Sequence, residues 1–143
     1  MYTKQISVFL ENQRGRLAEV TKLLTEEGVN IRALCLADTV DFGVLRLIVN
    51  DRQRCLRILK SHGFAAQETD VLAVEIEDQP GSLHRIVEVL DREGVNLEYV
   101  YTFYEKRGDR VIVVFKSDDA GKAAEALRKG GIPILPEDMI QNL

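Results

Sequence analysis

The chain has no tryptophan and only three prolines, two methionines and two cysteines among its 143 residues. Cys35 and Cys55 stand apart with no CxxC spacing, which excludes a disulfide framework and a structural zinc site. The two histidines, His62 and His84, are too few and too scattered for a metal centre. No apolar run approaches the ~20 residues that cross a bilayer. The opening MYTKQISVFLENQRG lacks the long apolar centre and small-residue cleavage site of a secretory signal. A cytoplasmic protein without membrane association, metal or cofactor is expected. There is no basic excess either: 19 Lys and Arg face 23 Asp and Glu, a net charge of −4. That disfavours a role built on phosphate neutralisation, so nucleic acid is not an expected partner.

Hydrophobic residues make up 45% and charged residues 29%, enough apolar side chain to offset ordering entropy. The length alone suggests one ordinary domain, but the chain repeats itself. ISVFLENQRGRLAEVTKLLTEEGVNI (6–31) lies over LAVEIEDQPGSLHRIVEVLDREGVNL (72–97) at an offset of 66, with ten of 26 positions identical. These include Gly15/Gly81, Leu17/Leu83, Gly28/Gly94 and Asn30/Asn96. One extra residue in the second copy moves the offset to 67, where VLRLIVND covers VIVVFKSD. The division expected is residues 1–69 and 70–143, two units each large enough to be a small domain. Charge follows it: residues 1–70 hold ten basic against nine acidic side chains, residues 71–143 nine against fourteen.

Within a copy the hydrophobic period alternates between two and 3.6. Ile6, Val8 and Leu10 read as a half-buried strand, and Leu17, Val20, Leu23 and Leu24 as a helix face ending at Gly28. Residues 29–38 and 44–50 read as strands joined by a turn at 40–43. Asp51 caps a second helix carrying Cys55, Leu56, Ile58 and Leu59, and a short strand around 64–68 closes the copy. The second copy repeats the order: a strand at 71–77, a helix with Leu83, Ile86, Val87 and Leu90, and strands at 95–105 and 110–116. A helix capped by Asp118 and a last strand at 132–135 interrupted by Pro133 follow, then a short helical tail. The fold class is α+β: two tandem βαββαβ units of ferredoxin-like topology, each a four-stranded antiparallel sheet with two helices on one face. Strand 44–49 is apolar on both faces, which implies that the open face is covered by a second unit or a second chain.

Chemistry concentrates at the strand-to-helix turns ENQRGRL (11–17) and EDQPGSL (77–83). A helix N-terminus offers free N–H groups and partial positive charge to a carboxylate, and Gly15 and Gly81 let backbone approach a ligand closely. Asp78 can only accept, for instance from an ammonium group, whereas Asn12 both donates and accepts. The plainer alternative is that the glycines only make tight turns and that Asn30 and Asn96 tolerate left-handed backbone. Arg14 and Arg16 could pair with a ligand carboxylate, pair with acids of the second copy, or remain solvated. Tyr99, Tyr101 and Phe103 share one strand face, lining either a pocket or, more in keeping with aromatic side chains generally, a sheet-to-sheet contact.

The pattern D/N-x-x-G-x-L, an apolar helix, then E-x-G-V-N-I/L resembles the ACT domain, a βαββαβ regulatory module that commonly binds amino acids. The resemblance covers essentially the whole chain, and more narrowly it is to the small stand-alone bacterial and archaeal proteins with two tandem ACT domains. EDQPGSL is close to the family's DxPGxL loop, while NQRGRL has Arg14 in place of its proline. The resemblance implies association of sheets between ACT units, as in a homodimer, with an amino acid at that interface reporting its presence to a metabolic enzyme. It places the ligand-binding residues at Asn12, Gln13, Arg14, Gly15, Arg16 and Leu17, at Asp78, Gln79, Pro80, Gly81, Ser82 and Leu83, and at Asn30, Ile31, Asn96 and Leu97. The two asparagines, at the far end of the helix, reach such a loop only across an interface between units.

Other readings fare worse. There is no GxSxG, GxxxxGK[S/T], HExxH or GxGxxG, and a nucleophile such as Cys35 has neither histidine adjacent in sequence, so no catalytic residue is expected. The third strands VLRLIVN and RVIVVFK lack the aromatic pair of an RNA-recognition sheet. The alternative that stands is an interaction or regulatory subunit of a metabolic enzyme that binds no ligand itself.

Overall fold

Strand β1 (Thr3–Glu11) leads into helix α1 (Arg16–Glu26), followed by β2 (Ile31–Asp38), β3 (Phe42–Val49), α2 (Arg52–Ser61) and β4 (Ala65–Glu77). Then come α3 (Ser82–Arg92), β5 (Leu97–Thr102), β6 (Arg110–Ser117), α4 (Ala120–Lys129) and α5 (Glu137–Gln141). The computed structural model describes residues 2–38 and 41–143, so Val40 of the turn expected at 40–43 lies outside the described residues. Contacts divide the chain into two compact units: Lys4–Thr69 with Gln141–Leu143, and Asp70–Ile140 with the N-terminal residues Tyr2 and Thr3.

In the first unit the sheet order is β2-β3-β1, with β4 beside β1. The pairings are antiparallel, Ile6 opposite Leu47 and Leu47 opposite Leu34. Ile6, Val8, Leu10, Leu45, Leu47 and Val49 form one core with Val20 and Leu24 of α1 and Cys55, Ile58 and Leu59 of α2, so both helices lie on one sheet face. The second unit repeats this with β4-β6-β5, Leu72 opposite Phe115 and Phe115 opposite Val100. Its core joins Leu72, Val74, Val113 and Phe115 to Ile86 and Leu90 of α3 and to Ala123, Ala126 and Leu127 of α4.

Each of the four long helices ends alike. Gly28, Gly63, Gly94 and Gly131 have φ between +71° and +83°, and the next residue's N–H returns to the last turn, as in Val29 to Leu24 O at 2.9 Å. This is the Schellman closure, which glycine enters without the Cβ penalty.

The structure corrects four expectations. The strands expected at 64–68 and 71–77 are one continuous strand, β4. The polar run Glu68-Thr69-Asp70 reads as a break, but its side chains sit at least partly in solvent and the backbone stays extended. The cap of α4 is Asp119, whose carboxylate accepts from the Lys122 N–H at 3.0 Å, while Asp118 accepts from the Asn96 N–H at 3.1 Å. The last strand shrinks to the bridge of Ile134 with Val74 and the bond from Leu135 N–H to Ala73 O at 2.8 Å, because Pro133 has no N–H to donate. Leu17, Leu83 and Val87, expected on buried helix faces, are exposed; the two leucines occupy the first helical turn, beside the loops.

The other sheet face of the first unit is divided. Ser7, Ala33 and Ile48 are buried, whereas Phe9 and Phe42 keep 45% and 53% of their surface.

Candidate functional site

The two strand-to-helix turns share one backbone. In the first, Asn12 N–H donates to Asp41 O (3.1 Å), Gln13 N–H to Glu11 O (2.7 Å) and Arg16 N–H to Gln13 O (3.4 Å). In the second, Asp78 N–H donates to Asp109 O (2.7 Å), Gln79 N–H to Glu77 O (3.0 Å) and Ser82 N–H to Gln79 O (3.3 Å). Gly15 and Gly81 each take φ +92° at the N-cap position, and no side chain caps either helix. Glu19 N–H and Arg85 N–H close the first turns on Gly15 O and Gly81 O, both at 3.0 Å. The earlier N–H groups of both helices have no acceptor within the helix, leaving two donor-rich, electropositive ends. Arg14 and Pro80 hold the same place, so the turn does not depend on proline.

The side chains differ. In the first unit Arg16 donates to Glu19 at 3.1 Å and reaches Glu11 at 3.4 Å. Those carboxylates, Glu19 first and then Glu11, hold its pKa above the ordinary arginine value. Its charge is thus engaged inside the unit, whereas Asn12, Gln13 and Arg14 are exposed. A cleft of about 330 Å³ runs between the end of β1, the first turn of α1 and residues 62–65.

In the second unit Asp78 is paired with Lys106. Glu75 receives Arg110 Nε at 2.8 Å and Arg107 at 3.2 Å, and Glu77 lies 3.7 Å from Arg110. The corresponding cleft, about 430 Å³, runs between Glu75–Glu77, the Gly81–Ser82 turn with Arg85, and residues 131–133. Arg85 stands where the first copy has Glu19, and its guanidinium reaches Gly130 O at 3.5 Å. The first cleft therefore carries two acids about one arginine, the second two acids and two arginines.

Of the expected site residues, Arg16 lines the first cleft and Gln79, Pro80, Gly81 and Ser82 line the second. Asn12, Gln13, Arg14, Gly15, Leu17, Asp78 and Leu83 belong to the turns without lining the clefts, and Asn30, Ile31, Asn96 and Leu97 are not brought to them. Asn30 exchanges backbone and side-chain bonds with Asn50: its N–H donates to Asn50 Oδ1 at 2.8 Å and its carbonyl accepts from Asn50 N–H at 3.1 Å. Asn96 and Asp118 repeat the exchange at 3.1 Å each way. Neither asparagine has positive φ, which removes left-handed backbone as the reason for them. Ile31 and Leu97 are half-buried against the two cores.

Tyr101 and Phe103 are buried, and the Tyr99 and Tyr101 rings stack with centroids 6.4 Å apart. None of the three lines the cleft beside Gly81. Sequence reasoning passed over Lys106, Arg107, Arg110 and Arg85. The one legible signal was the break in the repeat where Glu19 becomes Arg85. Cys55 is buried, and burial pushes its thiol up to about 12. Among the described residues no three His, Cys, Asp or Glu side chains are grouped to hold a metal ion, and no helix is long and apolar enough to cross a membrane.

A crystal structure of a protein from Bacteroides thetaiotaomicron is 37% identical, covers all of this chain and 98% of its own, and superposes with a TM-score of 0.92. The ligand-free regulatory subunit of aspartate kinase from Thermus thermophilus is 20% identical with a TM-score of 0.66, covering 91% of each chain. The Thermus flavus subunit is 19% identical with a TM-score of 0.61, over 92% of this chain and 94% of its own. At such identity the two Thermus proteins share the fold. No curated protein sequence matches the chain. The profile described as ACT domain pair matches residues 1–142, and with both turns, both clefts and the duplicated βαββαβ order in place, the chain belongs to the ACT domain pair family.

Proposed function

We propose that the chain is a cytoplasmic, non-catalytic regulatory protein that senses a small amino acid. The ligand's carboxylate meets the free N–H groups at the start of α1 or α3. Its ammonium group faces Asn12 or Asp78, and an ACT unit of a second copy completes the site in a homodimer. The observation that carries this reading is the duplicated turn: two glycines at φ +92° open two helices that lack side-chain caps, each beside a cleft of amino-acid size. The bound state would be reported to a metabolic enzyme.

A thermal-shift screen of the twenty amino acids tests it. A ligand bound only by the folded state stabilises by RT ln(1 + [L]/Kd), ~2.7 kcal/mol at a hundredfold excess over Kd. At least one amino acid is expected to raise the melting temperature. Asn12→Ala or Asp78→Ala should reduce that rise while leaving the ligand-free melting temperature nearly unchanged. No response to any amino acid would refute the reading. It would favour the alternative, an interaction subunit without a ligand, to which the pairing of Arg16 with Glu11 and Glu19 and of Asp78 with Lys106 already points.

A further inference from the structure

The hairpin joining β5 to β6 is held on the end of β4 by charge, and only the second unit has the residues for it. Lys106 pairs with Asp78, Arg107 with Glu75 at 3.2 Å, and Arg110 with Glu75 at 2.8 Å and Glu77 at 3.7 Å. Asp78 N–H also donates to Asp109 O at 2.7 Å. At the matching places of the first unit Phe9 replaces Glu75 and Asn12 replaces Asp78, so neither anchor is available there. Among the described residues, the backbone bond from Asn12 N–H to Asp41 O at 3.1 Å links this turn to the hairpin.

These contacts are unequal. Arg110 uses Nε on the Glu75 carboxylate and reaches the Glu75 carbonyl with Nη2 at 3.5 Å, a planar two-point hold. Lys106 holds Asp78 by a single ammonium on a flexible four-carbon stem. Both side chains of that pair are about half exposed, 56% for Lys106 and 51% for Asp78. Lys106 can therefore leave while Arg107 and Arg110 keep the hairpin in place.

Building on the amino-acid reading of the turn, we propose that Lys106 is a tethered stand-in for the ligand's ammonium group. It occupies Asp78 in the ligand-free chain, and an amine-bearing ligand takes the Gly81 turn by displacing it. Lys106 is then a specificity-determining residue. A molecule with a carboxylate and no ammonium, such as a 2-oxo acid, has nothing to offer Asp78 in exchange. The first unit, with an amide at Asn12, imposes no such competition, so the two copies differ in what they accept.

The test measures Kd by titration calorimetry on the full chain for each of the twenty amino acids, and for the N-acetyl form of each binder. Wild type, Lys106→Gln, Lys106→Arg and Lys106→Gln combined with Asp78→Asn are compared. Removing an exposed competitor of this kind should lower Kd for an amino acid roughly two- to fivefold in Lys106→Gln. Lys106→Arg should stay near wild type, the N-acetyl compounds should gain nothing, and Asp78→Asn should erase the gain. An amino acid that binds wild type with the same or lower Kd than it shows for Lys106→Gln overturns the proposal and leaves the amino-acid reading intact. If no amino acid binds either protein, the amino-acid reading falls and this proposal falls with it.

Discussion

Gly81→Ala isolates the backbone geometry on which the second turn depends. Gly81 has φ +92°, and a Cβ built there meets no atom within 4 Å. The substitution therefore carries no steric cost and acts through conformation alone. Holding an L-residue in left-handed backbone costs about 1–2 kcal/mol. Alanine also narrows the unfolded ensemble, which returns about 0.4–1 kcal/mol. The net expectation is a loss of roughly 0.5–1.5 kcal/mol, with Gly81→Asn losing less because asparagine tolerates this region. With a urea m-value of about 1–3 kcal/mol per M, the midpoint should fall by roughly 0.5 M. Two compact units need not unfold together, so native-state hydrogen exchange should accompany the titration, and the protection lost should lie in α3 and its neighbours rather than in α1. Gly15→Ala, at the same φ with the same open space, should give the mirror result in α1. A neutral or stabilising Gly81→Ala, or an asparagine variant worse than the alanine one, would refute the reasoning.

Gly130→Ala should destabilise for the opposite reason, since its backbone is ordinary but the new Cβ would lie 2.9 Å from Val89 Cγ1. The cost should be about 1–3 kcal/mol, relieved by Val89→Ala in a double-mutant cycle by urea titration. Asp119→Ala should cost α4 about 1 kcal/mol as a lost cap. Asp118→Ala should instead speed hydrogen exchange at the Asn96 amide, which donates to Asp118 at 3.1 Å. Buried Cys55 should resist iodoacetamide at pH 8 while half-buried Cys35 reacts, read by mass spectrometry. The Cys55 thiol is raised from 9.0 to about 12 in the folded chain. Folded and unfolded states bind its proton equally below about pH 9, and above that only the unfolded state releases it. Stability should therefore fall as pH rises from about 9 toward 12, and Cys55→Ala should flatten that decline in urea titrations at stepped pH.

Elements with strong local signals were legible residue by residue. Val20 and Leu24, then Ile86 and Leu90, recur at helical spacing before Gly28 and Gly94, and the helices end there. Leu45, Leu47 and Val49 alternate, and they face the core. Where two neighbours compete for one role the choice was not legible: Asp118 and Asp119 are adjacent acids, and only the position of the Asn96 N–H decides which one caps α4. Continuity of β4 was hidden because a polar run between two apolar ones reads as a linker. The turns of the candidate site could be read from Gly15, Gly81, Asn12 and Asp78, but their electrostatic state could not. Lys106 stands 28 positions from Asp78, and Arg110 stands 35 from Glu75.

By itself the sequence determined that the chain is a duplicated βαββαβ unit, because hydrophobic period and helix-ending glycines act over a few residues and are written twice. Only the tertiary structure decided which charges the two turns keep. Ion pairing depends on distances across the fold, and hairpin and strand meet there. Arg16 is engaged by Glu11 and Glu19 within its own unit. Asp78 meets a lysine from another element, and the competition at the second turn follows from that meeting.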